Sequence, residues 1–157
     1  MQVLTVEVYS QCRFARYEID SIYQDTLIQT KPNEMWYELT GSYISISVSR
    51  INQVYTVTMF MRATAGVNIV KNYGLEFIFE DDSKVYAISR DSKLSWYYGL
   101  ALWDIEIDYR IAKVYIDELA KKRVRYLRIT TQSGAIERPV SKQESIEFQK
   151  TMQCLID

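Results

Sequence analysis

Strict alternation of apolar and polar residues is the feature that most constrains how this chain folds. In residues 44–49 isoleucine and valine alternate with serine, and in residues 103–110 Trp, Ile, Ile and Tyr alternate with Asp, Glu, Asp and Arg. Successive side chains of a strand point to opposite faces, so a period of two is typical of strands with one buried face and one solvated face. The alternation predicts a chain built mainly of β-strands.

Short turns connect most of the predicted strands, as hairpins require. The strands are predicted near residues 4–8, 14–19, 26–30, 35–39, 43–50, 54–62, 67–70, 75–80, 85–90, 100–111, 124–131 and 135–140. Residues 81–84 supply a turn, because their side chains can bond their own backbone. Residues 91–99 do not fit a regular strand and are interpreted as an irregular aromatic stretch.

Two helices are predicted in the second half of the chain. Asp117 is a residue type that caps helices, and the apolar residues around it indicate a short helix near 116–122. Ser141 and Glu144 have the spacing of a capping box, in which each side chain bonds the other's backbone N–H. A C-terminal helix with an apolar stripe is therefore expected near 142–156.

The order of these elements favours one antiparallel, mainly β domain. The strands follow one another too closely for crossover helices, so neighbouring strands should pair as antiparallel hairpins. A two-layer β-sandwich with the last helix packed against a sheet or its end fits best, and a partly open barrel is the alternative. Residues 1–157 contain neither a repeat nor a linker, so a single domain is expected.

Two segments resemble a group of small β-rich proteins of gut bacteria. One is residues 16–20 with the following turn and residues 26–30; the other runs from residues 117–122 through a strand, Ser133-Gly134 and a second strand to the closing helix. Together they cover about half of the chain. No activity is known for that group, so the resemblance implies a β-rich fold and no catalytic residue.

Charge and hydropathy exclude several classes of function. The chain has 19 basic and 20 acidic residues, a net charge of −1, whereas proteins that neutralise phosphates carry a basic excess. Residues 121–128 are the most basic stretch and are interpreted as a solvated surface, so no nucleic-acid partner is expected. No window approaches 18 apolar residues, so no transmembrane helix is expected.

The first residues alternate like a strand rather than a leader peptide. A cytoplasmic protein is the default interpretation, although a secreted protein that has lost its leader would look the same.

Catalytic and metal-binding motifs are scarce. The chain has no histidine, which removes Ser-His and Cys-His pairs and His-ligated zinc. Cys12 and Cys154 are each interpreted as a lone thiol packed as a small hydrophobe. In an oxidising compartment they could instead close one long loop. A non-enzymatic protein without a cofactor is therefore favoured.

Asp104, Glu106 and Asp108 are the best polar constellation. Alternate residues of one strand share a face, with neighbours about 6.5–7 Å apart. Such carboxylates could hold Ca²⁺ or Mg²⁺, or act as the acid and base of glycoside hydrolysis. The favoured interpretation is simpler: the opposite face of the strand is apolar, so the acids are its solvated side.

Trp96, Tyr97, Tyr98 and the nearby Trp103 are the second candidate group. Aromatic rings beside a carboxylate face could stack on sugars or grip a peptide, since they offer apolar area and hydrogen-bond donors. The competing interpretation, which the pattern alone favours, is that the rings close one end of the sandwich. The segment is still the strongest functional signal in the chain.

These observations favour a non-catalytic binding or interaction domain with a protein or carbohydrate ligand. The alternatives are a carboxylate-based or metal-assisted hydrolase centred on the three acids, and a structural subunit that self-associates through its β edges and aromatic residues.

Overall fold

The computed structural model describes residues 14–19 and 26–156, without the side chains of residues 15–19. The strands in this part of the chain are β1 (Phe14–Ile19), β2 (Thr26–Thr30), β3 (Asn33–Tyr37), β4 (Tyr43–Ile51), β5 (Val54–Ala63), β6 (Asn68–Ile69), β7 (Gly74–Phe79), β8 (Lys84–Ser89), β9 (Lys93–Leu94), β10 (Trp96–Gly99), β11 (Leu102–Ile111), β12 (Val124–Thr131) and β13 (Gly134–Pro139). The helices are α1 (Lys113–Lys121) and α2 (Lys142–Ile156). The predicted strand near residues 4–8 lies outside the described residues.

Eleven of these strands form one antiparallel sheet. Its path is β1-β2-β4-β5-β11-β8-β7-β12-β13, with β3 also beside β4 and β10 also beside β11. The strands β6 and β9 form a separate pair. Within the described ranges the two ends of the path, β1 and β13, do not pair with each other, so the sheet is not a closed barrel.

One face of the sheet is buried against the two helices. In β7 and β8 every second residue is buried, as the period of two predicts. Phe148 of α2 stacks on Phe77 of β7 with ring centroids 5.8 Å apart, and Gln153 of α2 donates to the Ala120 carbonyl of α1 at 3.1 Å. Helix α2 contacts both β3 and β12. The core therefore lies between the inner face of the sheet and the two helices, and helix α2 contacts strands from separate parts of the sheet. This arrangement is sandwich-like.

The C-terminal helix agrees with its prediction. The Ser141 N–H donates to the Glu144 carboxylate at 3.1 Å, and the Glu144 N–H donates to Ser141 Oγ at 3.2 Å. This reciprocal pair is the predicted capping box. In the part of the chain that the structure describes, no helix has the length and hydropathy needed to cross a bilayer.

Helix α1 begins earlier than predicted. Its first residue is Lys113, and the capping position is Ala112, which has no side chain for a cap bond. Asp117 lies inside the helix and forms an ion pair with Lys113 at 3.6 Å. The helix follows β11 after one residue, and it buries Ile116, Leu119 and Ala120. Burial of the apolar face, rather than a cap, therefore accounts for this helix.

The predicted irregular stretch 91–99 is wrong in part, because it contains β9 and β10. The long strand predicted from Leu100 begins at Leu102 instead. Leu100 and Ala101 have φ values of +54° and +61°, so they form the two-residue turn of a β10–β11 hairpin. Such turns usually contain Asn or Gly, which tolerate positive φ. Leu-Ala lacks that signal, so the pattern could not reveal the turn.

Cysteine chemistry also departs from expectation. Cys154 is disulfide-bonded and is not the lone thiol that the sequence favoured. Cys12, the other cysteine of the chain, lies outside the described residues. Sequence alone could not distinguish the two states, because disulfide formation depends on the distance between the cysteines in the folded chain.

Candidate functional site

A row of five side chains crosses one end of the sheet on its outer face, the face turned away from the helices. From β3 to β10 the row consists of Tyr37, Tyr43, Arg62, Asp104 and Trp96. Each residue lies directly opposite the next one in the antiparallel ladder, and directly opposed residues share a face of the sheet. The row thus has aromatic rings at both ends and a charged pair in the middle.

The charged pair is bidentate. Arg62 Nε lies 2.7 Å from Asp104 Oδ1, and Arg62 Nη2 lies 2.8 Å from Asp104 Oδ2. Asp104 is only 4% exposed although it lies on the outer face. The hydrogen bonds to Asp104 raise the pKa of Arg62 above its ordinary value. Two parallel bonds fix the plane of the guanidinium, which makes Arg62 a rigid part of the surface.

Aromatic rings surround this guanidinium. The Arg62 guanidinium carbon lies 3.6 Å from the centroid of the Tyr98 ring and 5.5 Å from that of Tyr43. Tyr43 stacks on Phe60 at 5.5 Å, and Phe60 meets Trp96 edge-on at 6.4 Å. Each ring is held by a neighbour. We call Arg62 and these four rings the platform. Its side chains are ordered before any ligand arrives, which lowers the entropic cost of binding.

Large exposed apolar side chains concentrate around this platform. Of the twelve such side chains among the described residues, seven lie in residues 37–39 and 94–100: Tyr37, Leu39, Leu94, Trp96, Tyr97, Tyr98 and Leu100. Gly41, two residues after the first segment, lies beside Leu102, two residues after the second, since a Cβ at Gly41 would lie 3.5 Å from Leu102 Cδ1. We call these seven residues the aromatic patch. Exposed apolar area concentrated in this way marks interaction surfaces.

The four predicted aromatic residues lie close together but on two faces of the β10–β11 hairpin. Trp96 and Tyr98 belong to the outer face, with Arg62. Tyr97 lies opposite Trp103 on the other face, and their rings meet edge-on at 5.3 Å. Trp96, Tyr97 and Tyr98 are each about half exposed, whereas Trp103 is partly buried.

The three predicted acids lie on one face of β11, but two of them are engaged by protein groups. Arg62 holds Asp104, and the Thr58 hydroxyl donates to Asp108 at 2.6 Å. Glu106 is exposed and has no hydrogen-bond or ion-pair partner among the described residues. That part of the chain also contains no group of three or more acidic, histidine or cysteine side chains that could hold a metal ion. At Asp104, the guanidinium occupies the position that a cation would need.

Sequence reasoning missed Tyr37, Tyr43, Phe60 and Arg62. All four lie on strands that were predicted, and Phe60 and Arg62 are two residues apart on one face of β5. The missing information was the register between strands, since a shift of one residue would turn a side chain to the other face.

A groove of about 730 Å³ opens between β3 and the start of α2. It is lined by Pro32, Asn33, Glu34, Trp36, Tyr37, Pro139, Val140, Ser141, Gln143, Glu144 and Glu147. Two of its acids are engaged locally: Glu144 in the capping box and Glu147 with Lys150 at 3.1 Å. Tyr37 belongs both to this groove and to the aromatic patch, so the two adjoin.

Four of the five basic side chains in the most basic stretch of the sequence form ion pairs with acids. The ion pairs are Lys122–Asp81 at 3.0 Å, Arg123–Glu80 at 2.8 Å, Arg125–Asp82 at 2.7 Å and Arg128–Glu137 at 2.7 Å. We call these residues the charged network. It joins the β7–β8 turn, β12 and β13 and leaves no cluster of unpaired basic side chains in this stretch.

Comparison with known proteins yields no family model, no curated protein and no solved structure that matches the chain. The resemblance to β-rich proteins of gut bacteria stays a prediction.

Proposed function

We propose that this chain is a non-catalytic interaction domain that binds a protein through the aromatic patch. The observation that carries the proposal is the concentration of exposed Trp, Tyr and Leu side chains around the partly buried Arg62–Asp104 pair. Tyr, Trp and Arg are the residues most enriched at the centres of protein interfaces.

The chemistry of the neighbouring acids supports binding over catalysis. Hydrolysis by two carboxylates requires one free acid and one free base near the substrate. Asp104 is held by Arg62, and Asp108 accepts a hydrogen bond from Thr58. Glu106 is then the one acid of this strand left unengaged by described residues. The hydrolase hypothesis therefore loses Asp104, the acid that lies directly opposite Trp96 beside the aromatic rings.

The composition of the patch supports a protein ligand over a carbohydrate. Sugars stack on open aromatic faces and need polar side chains for their hydroxyl groups. Trp96 and Tyr98 offer such faces, but Leu39, Leu94 and Leu100 add exposed aliphatic area. Aliphatic area is desolvated best by apolar protein side chains. A carbohydrate is the second candidate ligand, and the experiment below distinguishes the two.

The test uses a displayed library of random linear peptides and a glycan array as probes. Trp96→Ala and Tyr98→Ala should each weaken the binding of selected peptides by about tenfold or more, as loss of an interface hot spot does. Tyr86→Ala is the matched control, since Tyr86 is similarly exposed at 47%, contacts the Tyr115 ring at 5.2 Å and lies outside the patch.

Two results would contradict the proposal. If the selected peptides bind the Trp96→Ala and Tyr98→Ala variants unchanged but lose affinity for Tyr86→Ala, the binding surface lies at Tyr86 and not at the aromatic patch. Binding to glycans, and to no peptide, with the same sensitivity to Trp96→Ala would replace the protein ligand by a carbohydrate.

A further inference from the structure

We infer that the partner binds by strand addition: an extended peptide segment pairs with the edge of β10 that no described strand covers. This inference rests on the proposed function and specifies the mode of binding and the chemistry of the partner. It depends on three features of β10: a backbone edge that no described strand covers, the rings on both of its faces and the charge around it.

The first feature is the backbone edge. Strand β10 pairs with β11 on one side, and on its other side the described residues supply no strand. Residues 96–99 make no backbone hydrogen bonds outside the β10–β11 ladder within the same part of the chain. An edge strand with free N–H and C=O groups can accept a further strand, and several peptide-binding domains use this mode.

The second feature is the distribution of rings. Trp96 and Tyr98 are exposed on the outer face of β10, and Tyr97 is exposed on the opposite face. A ligand that rests on the outer face alone cannot contact Tyr97. An added strand lies beside the edge, and its successive side chains point alternately to the two faces. Such a strand would contact both sets of rings at once.

The third feature is charge. Residues 94–101 carry no formal charge, and the Arg62 charge is compensated by Asp104. Glu106 is exposed on the outer face, two residues along β11 from the position opposite Trp96, and the described residues leave it without an ion pair. The patch therefore suits an apolar peptide whose only charge is one Lys or Arg, at the end that passes Trp96 toward Glu106.

The experiment is an N-methyl scan of a peptide selected from the displayed linear library on the wild-type protein. Methylation removes one backbone donor at a time. In an added strand only every second residue directs its N–H and C=O to the neighbouring edge. We expect losses of about tenfold or more at alternate positions, with the intervening positions tolerant. Uniform losses, no losses, or a selection that yields no binder would overturn strand addition.

Substitutions separate this inference from the proposed function. Tyr97→Ala should weaken the peptide as much as Trp96→Ala does, and thermal unfolding of both variants shows whether they remain folded. If Trp96→Ala weakens binding and Tyr97→Ala does not, the aromatic patch stands and strand addition fails. If a folded Trp96→Ala variant binds unchanged, the proposed function itself fails.

Glu106→Gln tests the chemistry of the peptide. It should reduce the affinity for a peptide with a terminal Lys several-fold, as expected for loss of a partly exposed ion pair. The affinity for the same peptide with that Lys replaced by Gln should not change. Equal losses for both peptides would overturn the assigned cation. A concentration-dependent dimer that Tyr97→Ala abolishes, measured by sedimentation, would assign the edge to a second copy of the chain and overturn a separate partner.

Discussion

The charged network and the aromatic patch both contain paired charges, but only the patch exposes a group of large apolar side chains. In the charged network, Lys122, Arg123, Arg125 and Arg128 each meet an acid across the β7–β8 turn, β12 and β13. In the aromatic patch, the central charges are also paired, by the bidentate Arg62–Asp104 contact. The patch nevertheless exposes seven large apolar side chains.

The two regions differ in how much free energy their exposed side chains would gain from contact with another molecule. Exposed ion pairs are solvated and paired within the molecule, so they gain little from a further contact. Exposed rings and leucines gain free energy whenever water is removed from them. The partly buried Arg62–Asp104 pair orients the rings beside it. In the proposed interaction, the apolar area of the patch provides the driving force for association.

The largest expected effect comes from breaking the central pair. Arg62→Met should lower the free energy of unfolding by about 3 kcal/mol, because it leaves the Asp104 carboxylate buried without its partner. Arg123→Met, in the charged network, should lower it by less than about 1 kcal/mol. Urea unfolding measures both values. Equal losses in the two regions would remove the distinction between a buried and a solvated pair.

A smaller effect is expected from the ring above the guanidinium. Tyr98→Leu should cost about 1 kcal/mol, because the Tyr98 centroid lies only 3.6 Å from the charge of Arg62. Tyr126→Leu is the matched change in the other region, where Arg125 lies 5.0 Å from the ring centroid. Unfolding of the two variants under the same conditions should show the smaller loss for Tyr126→Leu, and the reverse order would contradict this account of the stack.

Added salt should affect the stability losses of Arg123→Met and Arg62→Met differently. The loss caused by Arg123→Met should shrink when the ionic strength is raised to about 1 M, where exposed charges are screened over about 3 Å. The loss caused by Arg62→Met should change little, because Asp104 is shielded from solvent. Repeating the urea titrations at low and high salt tests this, and a similar salt dependence in both regions would show that water reaches the central pair.

The smallest effect is expected at acid pH, in the charged network. Hydrogen bonds from Ser83 and Lys122 lower the pKa of Asp81 from its ordinary value of 3.8 to about 2. A carboxyl whose pKa is depressed on folding stabilises the protein above pH 3.8, and this contribution is lost as the pH falls through 3.8 toward 2. Thermal unfolding of Asp81→Asn should therefore show a shallower loss of stability over that range. An unchanged pH profile would mean that Asp81 is not held in these bonds.

Local patterns account for the parts of the fold that were predicted. The alternation in β4 and β11 needs no information beyond neighbouring residues, and the Ser141–Glu144 capping box spans three positions. The start of α1 and the Leu100-Ala101 turn were predicted wrongly. The first depends on burial of Ile116 and Leu119 in the folded chain, and the second is a positive-φ turn without glycine or asparagine.

The sequence identified some of the aromatic residues of the candidate site, but it did not predict how they are arranged in space. Trp96 and Tyr98 were identified because three consecutive aromatic residues are conspicuous in any chain. Their separation from Tyr97 follows from the side-chain alternation of β10, which the sequence did not show to be a strand.

By itself the sequence determined a mainly β, antiparallel chain with a C-terminal helix, because period-two patterning and helix capping are local properties. Only the tertiary structure decided that Asp104 would meet Arg62, 42 residues away, and that Tyr37 and Tyr43 would complete the row. These contacts depend on strand order and register, which are selected by burial of the whole inner face at once.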